Sequence, residues 1–294
     1  MFLDLNIMKV AIIGTGNIGT DLLLKILKTK DVELVAFVGR RATTKPLPAG
    51  VNYYENGIDY FIENPNCCDL VFDCTDALTA SINASIFEHQ NIRVIDMTPS
   101  KKGQMCVPNI NCCCLSNVNN VNMITCGGQV SIPMLNYLAA FGKISYAEVV
   151  TQISSHSAGM ATRINVDKYI ETTENAIKTL VDIQNCKVIL TVNPAKIFMQ
   201  TTIFIKTDAS EFTGFDEFLT SVKSYIPNYK VASPPKFISP GIVMVSVKIT
   251  SSGDYFSDYA GNLDVINCAA MKIMSKIHKE FFSVHVNERS THDV

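Results

Sequence analysis

The 294-residue chain predicts an α/β fold: an N-terminal doubly wound parallel sheet followed by a mixed α+β region. Three observations predict it. Met8 to Ile13 reads as a buried strand, and Gly14-Thr15-Gly16-Asn17-Ile18-Gly19 follows it. A helical pattern then runs from Thr20 to Lys28, and a second strand spans Val32 to Val38. The order strand, G-x-G-x-x-G, helix, strand is the context that gives the glycine motif meaning. Beyond residue 126 the texture changes to β-rich runs interleaved with long amphipathic helices.

The first region continues the doubly wound pattern of a Rossmann sheet. Leu70 to Cys74 and Arg93 to Met97 read as strands, separated by a helical stretch from Leu78 to His89. Asp73-Cys74-Thr75-Asp76 and Asp96-Met97-Thr98-Pro99 fall at strand C-terminal ends, where open α/β sheets bind ligands. Thr43 to Asn66 carries Pro, Gly and Asn and reads as loop, with a short helix near Ile58 to Ile62. In the glycine motif, Gly14 permits the tight turn, Gly16 admits a pyrophosphate to the backbone, and Gly19 lets helix pack on strand. The anion then rests on the helix N-terminus.

The second region begins at Val121-Asn122-Met123-Ile124-Thr125-Cys126-Gly127-Gly128-Gln129. A short apolar run delivers one thiol to a Gly-Gly corner, and helix is expected from Gln129 to Phe141 with Pro133 in its first turn. Backbone N–H groups and the positive helix end favour thiolate there. The two glycines leave room for a carbonyl to approach the sulfur. Lys143 to Ser154 reads as extended, and Ser155 to Arg163 as a small-residue loop. Asn165 to Ile183 has helical spacing at Tyr169, Thr173, Ile177 and Leu180. Lys187 to Val192, Thr202 to Thr207 and Ile242 to Ile249 read as strands, Phe212 to Tyr225 as helix. A terminal helix opens at Ala260-Gly261-Asn262-Leu263-Asp264 and runs to about Phe282.

Composition narrows the function. Hydrophobic content of 47% and charged content of 18% describe a packed chain. A net charge of −2 gives no electrostatic case for nucleic acid or an anionic membrane. No apolar run approaches the roughly 20 residues that span a bilayer. The N-terminus lacks a basic region and a small-residue cleavage site, so a cytoplasmic location is expected. The ten cysteines include the triplet Cys112-Cys113-Cys114 but no C-x-x-C pair. Small buried apolar filler is their expected role, with no disulfide framework and no metal site.

The motifs together resemble a known family. Gly-Thr-Gly-Asn-Ile-Gly-Thr at 14–20, Thr-Cys-Gly-Gly-Gln at 125–129, Ser-Ala-Gly at 157–159 with Thr162-Arg163, and Ala-Gly-Asn-Leu-Asp at 260–264 are similar to those of the CoA-acylating acetaldehyde dehydrogenases. The similarity runs in order from Lys9 to about Lys276. The resemblance implies a nucleotide-binding domain over 1–125, a catalytic and dimerisation domain over 126–259, and a terminal helix (260–285) returning to the first. Residues 286–294 are expected as a tail.

It also implies roles at matching positions. Cys126 corresponds to the acyl-thioester nucleophile. Gly14, Thr15, Gly16, Asn17, Ile18 and Gly19 correspond to nicotinamide-nucleotide contacts. So do Ser157, Ala158, Gly159, Met160, Ala161, Thr162, Arg163, Ile164 and Asn165, together with Asn262. Asp208 matches an acidic residue with a supporting catalytic role. Asn262 is otherwise a helix N-cap. His156, near the loop, is a further base or only a polar loop residue. The implied cofactor is NAD, with coenzyme A as co-substrate and a short-chain aldehyde as substrate. A homodimer and a 4-hydroxy-2-oxovalerate aldolase-type partner are also implied.

Two departures stand out. Met160-Ala161 replace the family's Pro-Gly, which adds bulk to the loop. Arg40-Arg41 follow the second strand where an acidic residue is usual. They pair with a 2′-phosphate, which would admit NADP, or are two solvated surface arginines. Two other readings stay open on sequence: a phosphorylating semialdehyde dehydrogenase, and an inactive nucleotide-binding scaffold subunit.

Overall fold

A computed structural model describes residues 7–43, 46–113, 115, 117–159, 163 and 166–290, with side chains through Phe282. Two compact units are present. The first comprises Met1–Gln104, Cys112–Asn122 and Ala270–Val294, the second Met105–Asn111 and Met123–Ala269. The division departs from the expected boundary: residues 105–111 and 123–125, and the start of the terminal helix through Ala269, belong to the second unit. The Gln129 side chain is one physical reason. Its amide donates to the carbonyls of Cys106 (2.8 Å) and Met123 (2.9 Å), tying both segments to the helix that follows.

The first unit is built on a seven-stranded sheet. Its strands are β1 (Met8–Ile13), β2 (Val32–Val38), β3 (Tyr53–Tyr54), β4 (Leu70–Asp73), β5 (Arg93–Asp96), β6 (Gln104–Met105) and β7 (Asn120–Asn122), in the order β3-β2-β1-β4-β5-β7-β6. The pairs from β3 through β7 are parallel. Helices α1 (Asn17–Ile26), α2 (Asp59–Glu63) and α3 (Ala77–His89) lie between them in sequence. Because such a sheet is covered on both faces, β4 is buried at every position. Ala11, Ile13, Val71, Phe61, Phe87 and Val94 meet in its core. Strand order reverses between β1 and β4, so the ends of these strands form the ligand-binding edge. The dipeptide strand β3 and the short β6 and β7 escaped the sequence pattern, since two or three residues show no period.

The second unit holds α4 (Cys126–Ala139), β8 (Ile144–Ser154), α5 (Val166–Leu180), β9 (Cys186–Asn193), β10 (Met199–Thr207), α6 (Phe215–Lys223), β11 (Tyr229–Ser239), β12 (Ile242–Ile249) and the start of α7 (Gly261–Ser290). The five-stranded sheet runs β11-β12-β10-β8-β9 and is antiparallel except for β8 with β9. Strand β10 alternates strictly, with Met199, Thr201, Ile203 and Ile205 buried. Helix α4 packs on this sheet and on α5. Strand β11 carries Pro234 and Pro235, which hid it from the pattern; proline is tolerated because β11 is an edge strand.

The terminal helix does meet the first unit's chain in its later turns. Glu280 accepts a hydrogen bond from Leu115 N–H at 2.8 Å, and Lys276 Nζ donates to the Cys112 carbonyl at 3.2 Å. Helical order continues through Ser290, eight residues beyond the expected end and into the expected tail; 291–294 lie outside the described residues. Two cysteines correct the expectation of free thiols: Cys106 and Cys112 are disulfide-bonded. No helix among the described residues is long and apolar enough to cross a membrane.

Candidate active site

The glycine motif sits at the switch point of the first unit's sheet. Gly14 has φ +100, in the region that favours glycine, and a Cβ there would lie 2.5 Å from the Cys74 carbonyl group. A Cβ on Gly19 would lie 2.0 Å from the Gly14 carbonyl oxygen, so that glycine permits helix α1 to close on the turn. Gly16 differs from both: a Cβ there would meet nothing within 4 Å. Gly16 is also the N-cap of α1, with no side-chain hydrogen bond, and no acidic residue stands in the first turn. The first turn of α1 therefore carries no acidic side chain, and open space lies beside Gly16. That arrangement fits the pyrophosphate of a dinucleotide.

Neighbouring acids are held inside the same edge. Asp73 is buried and accepts from Thr75 N–H (3.0 Å), the Thr75 hydroxyl and the Asn83 amide (2.8 Å). Asp96 accepts from Thr98 N–H (2.8 Å), the Thr98 hydroxyl (2.7 Å), the Ser100 hydroxyl and the Asn122 amide (3.0 Å). Burial raises both carboxyls above the usual range. These saturated acids shape the strand ends and are not free to act on a ligand.

The thiol site lies in the second unit. Cys126 is the first residue of α4, and Thr125 is its N-cap, accepting Gly128 N–H on its hydroxyl at 2.9 Å. Gln129 N–H donates to the Thr125 carbonyl at 2.9 Å. The sequence placed helix three residues later and left Gly127-Gly128 as a corner. In fact both glycines are in the first turn, because the Thr125 cap starts the helix early. Pro133 consequently lies in the helix interior.

Each glycine answers a close neighbour. A Cβ on Gly127 would lie 2.0 Å from the Tyr169 hydroxyl oxygen, and one on Gly128 would lie 2.9 Å from Ile124 Cγ2. Ile124 is fully buried with φ +65, a costly conformation for a β-branched residue. That kink, two residues before the sulfur, turns the chain from β7 into the helix. Strain of this kind persists only where packing over-determines it, as Gln129 does here by gripping the Met123 carbonyl.

The cap also settles which backbone donors remain. Gly128 N–H is spent on Thr125, whereas the Cys126 and Gly127 N–H groups bear on the Cys126 sulfur itself. The Cys126 thiol is pushed up to about 11 by burial, partly opposed by the Tyr169 hydroxyl and Gly127 N–H. Expectation favoured thiolate at the helix end; in this structure desolvation outweighs the helix.

Comparison with known proteins places the chain. Residues 126–257 match the dimerisation region of prokaryotic acetaldehyde dehydrogenase, and residues 9–113 match the NAD-binding domain of semialdehyde dehydrogenases. An acetaldehyde dehydrogenase of Spirochaeta aurantia is 44% identical over 283 residues, covering 92% of this chain and 95% of its own. The chain belongs to the acetaldehyde dehydrogenase family. A relative from Pectobacterium atrosepticum is 41% identical over 92% of this chain and 95% of its own. Among solved structures, aspartate semialdehyde dehydrogenase II of Vibrio cholerae covers 94% of this chain and 99% of its own, with a TM-score of 0.67. At 12% identity that likeness shows shared fold alone.

Other site residues expected from the family pattern fall into three groups. Ser157, Ala158, Gly159, Arg163 and Asn262 do come together. The Asn262 amide donates to the Ser157 carbonyl at 3.4 Å, and Asn262 Oδ1 is buried without a partner. Arg163 donates to the Ser155 carbonyl at 2.8 Å and the Ala158 carbonyl at 3.4 Å, folding the loop on itself. Asn262 is not the N-cap of α7, because Ala260 supplies the carbonyl to Leu263 and Asp264 N–H. Met160, Ala161, Thr162, Ile164 and Asn165 lie outside the described residues.

Asp208 is the clear correction. It follows β10 and accepts Lys143 N–H at 2.6 Å, just past the C-terminal end of α4. The helix is 14 residues long with Cys126 at its start, a span of about 20 Å. Asp208 closes a turn and does not face the thiol. His156 is exposed and lies edge-on to Tyr259, ring centroids 6.2 Å apart, with no part in the Cys126 environment.

What sequence reasoning missed is the Tyr169 hydroxyl beside the sulfur and the threonine hydroxyls behind it. The Thr125 and Thr173 hydroxyls are 2.7 Å apart, and Thr173 donates to the Tyr169 carbonyl at 2.7 Å. Thr151 and Thr201 hydroxyls pair at 3.0 Å across β8 and β10. Helical spacing put Tyr169 and Thr173 on one face of α5, but spacing alone does not say what the face meets.

Proposed function

We propose that the protein is an acylating aldehyde dehydrogenase, converting acetaldehyde or another short aldehyde, coenzyme A and NAD to acyl-CoA and NADH, reversibly. The observation that carries this is Cys126 at the first position of α4, with its own N–H and that of Gly127 turned to the sulfur after Thr125 has taken Gly128 N–H. The family supplies the context.

The Cys126 sulfur, as thiolate, adds to the aldehyde carbon. The resulting oxyanion takes hydrogen bonds from the Cys126 and Gly127 N–H groups, each worth about 3 kcal/mol in such a step. When bound, the nicotinamide nucleotide supplies the hydride acceptor. Gly14 to Gly19 are the residues that would hold its pyrophosphate, at the α1 N-terminus. The unpartnered Asn262 Oδ1 suits a carboxamide N–H. Oxidation leaves an acyl thioester on Cys126. The coenzyme A thiol then displaces it, and Cys126 departs as thiolate.

Cofactor choice rests on Arg40. Against desolvation, hydrogen bonds from Thr79 and Leu78 hold the Asp76 carboxyl below its usual range and the Arg40 charge adds to them; an arginine already near a carboxylate supports NAD over NADP. We also infer a homodimer, supported by the match of residues 126–257 to the family's dimerisation region, and an aldolase-type partner. Size-exclusion chromatography, with and without the aldolase, tests both.

The deciding experiment is turnover of acetaldehyde and propanal with NAD or NADP, and with coenzyme A or phosphate as acyl acceptor. Coenzyme A-dependent NADH formation is expected, and Cys126→Ser should lower it by about 10⁴-fold or more. Turnover with phosphate alone would favour the phosphorylating class. That alternative draws on the semialdehyde dehydrogenase match, which covers residues 9–113 and so omits the thiol. No turnover with either acceptor would favour the inactive scaffold.

A further inference from the structure

We propose that Tyr169 is a catalytic residue, whose hydroxyl donates a hydrogen bond to the Cys126 sulfur in its anionic form and so favours the thiolate. This rests on Cys126 as the reacting thiol. The position of the hydroxyl is fixed by the missing side chain beside it: a Cβ on Gly127 would lie 2.0 Å from Tyr169 Oη. The oxygen therefore stands against the residue that follows the nucleophile. Tyr169 is buried, at 6% exposure, and its hydroxyl makes no hydrogen bond of full geometry. Its polar neighbours are the Cys126 thiol, the Thr151 hydroxyl and Gly127 N–H. A buried hydroxyl without a firm partner is expensive, and an anionic sulfur would complete it.

Two features hold the ring in place. Gly128 N–H donates to Thr125 Oγ1, and Thr173 donates to the Tyr169 carbonyl, so the proton between the two threonines is Thr125's. A single run of hydrogen bonds thus ties the cap of α4 to the backbone of Tyr169 on α5. Behind the hydroxyl, Thr151 on β8 is itself paired with Thr201 on β10. Charge arrives from none of these elements. The side chain facing the sulfur from α5 is the Tyr169 hydroxyl, the groups behind it on β8 and β10 are the Thr151 and Thr201 hydroxyls, and no carboxylate or cation contributes to the thiol among the described residues.

The direction of the bond follows from burial. Desolvation and the neighbouring sulfur hold the Tyr169 hydroxyl far above the usual tyrosine range, so it keeps its proton and donates. It is not the base. The thiol proton passes to buffer or water, and Tyr169 retains its own.

Iodoacetamide alkylation, resolved at Cys126 by peptide mass across about pH 7 to 10, tests this. Thiolate fraction grows with pH, so the wild-type rate climbs about tenfold per pH unit below the thiol pKa. In Tyr169→Phe the thiolate fraction should fall about tenfold for one lost charge-assisted bond, and higher intrinsic nucleophilicity recovers part of it. A net decrease of about threefold is expected at each pH. A purely structural tyrosine would loosen on substitution and expose the sulfur, so an equal or faster rate in a folded variant overturns the proposal. Circular dichroism reports folding. Should Tyr169→Phe fail to fold, ring-fluorinated tyrosine incorporated into the wild-type chain has to accelerate alkylation, and no change overturns the proposal. Loss of coenzyme A-dependent turnover in Cys126→Ser separately tests Cys126 as the nucleophile.

Discussion

The N-termini of α1 and α4 begin from the same backbone resource and are finished in opposite ways. Gly16 caps α1 with no side chain, and nothing stands within 4 Å of the place where its Cβ would be. Thr125 caps α4 with its hydroxyl, and Tyr169 and Ile124 crowd the two glycines that follow. One helix end has open space beside its cap, the room a bound anion would need. The other is closed, and its remaining N–H groups attend a sulfur carried by the helix itself. Which role a helix N-terminus takes is set by the cap residue and by what packs against the first turn, since the dipole is common to both.

Three substitutions break or sharpen this contrast. Gly127→Ala drives a methyl into the Tyr169 hydroxyl, and displacement of that order at a reacting centre costs about 10²-fold in turnover. NADH binding, followed by fluorescence, should not change; a parallel loss would show that the two helix ends are not independent. Gly16→Val fills the open side of the α1 cradle, where losing one phosphate contact corresponds to roughly tenfold in affinity. Steady-state KM for NAD should rise by that factor while alkylation of Cys126 is unaltered. Thr125→Ala removes the α4 cap at a cost of about 1 kcal/mol. Thermal unfolding should begin about 2–4 °C lower, whereas Gly16→Ala at the uncapped α1 should show a much smaller shift.

Much of the fold was legible because its signals are local. The bounds of β1, β2 and β12 follow directly from apolar runs, and Gly14 to Gly19 read as a phosphate cradle in its strand-to-helix context. Failures occurred where the signal is short or contradicted. β3, β6 and β7 have two or three residues and no period, and the prolines of β11 argue against a strand unless it is an edge. The start of α4 was missed because glycine-glycine reads as a break. Only the Thr125 cap and the ring of Tyr169 explain glycines inside a first turn. Asp208 matched a pattern but occupies the far end of α4, where Lys143 N–H claims it.

Sequence by itself determined the order of elements, the glycine turn after β1 and the choice of Cys126 as candidate nucleophile, since glycine spacing and hydrophobic period are properties of neighbours along the chain. Tertiary structure decided how that cysteine is attended: which N–H groups survive the cap, which acid is too far away, and which tyrosine reaches the sulfur. Those outcomes depend on α5, β8 and β10 being folded against α4, and residues some 25 to 75 positions apart meet only when the chain has packed.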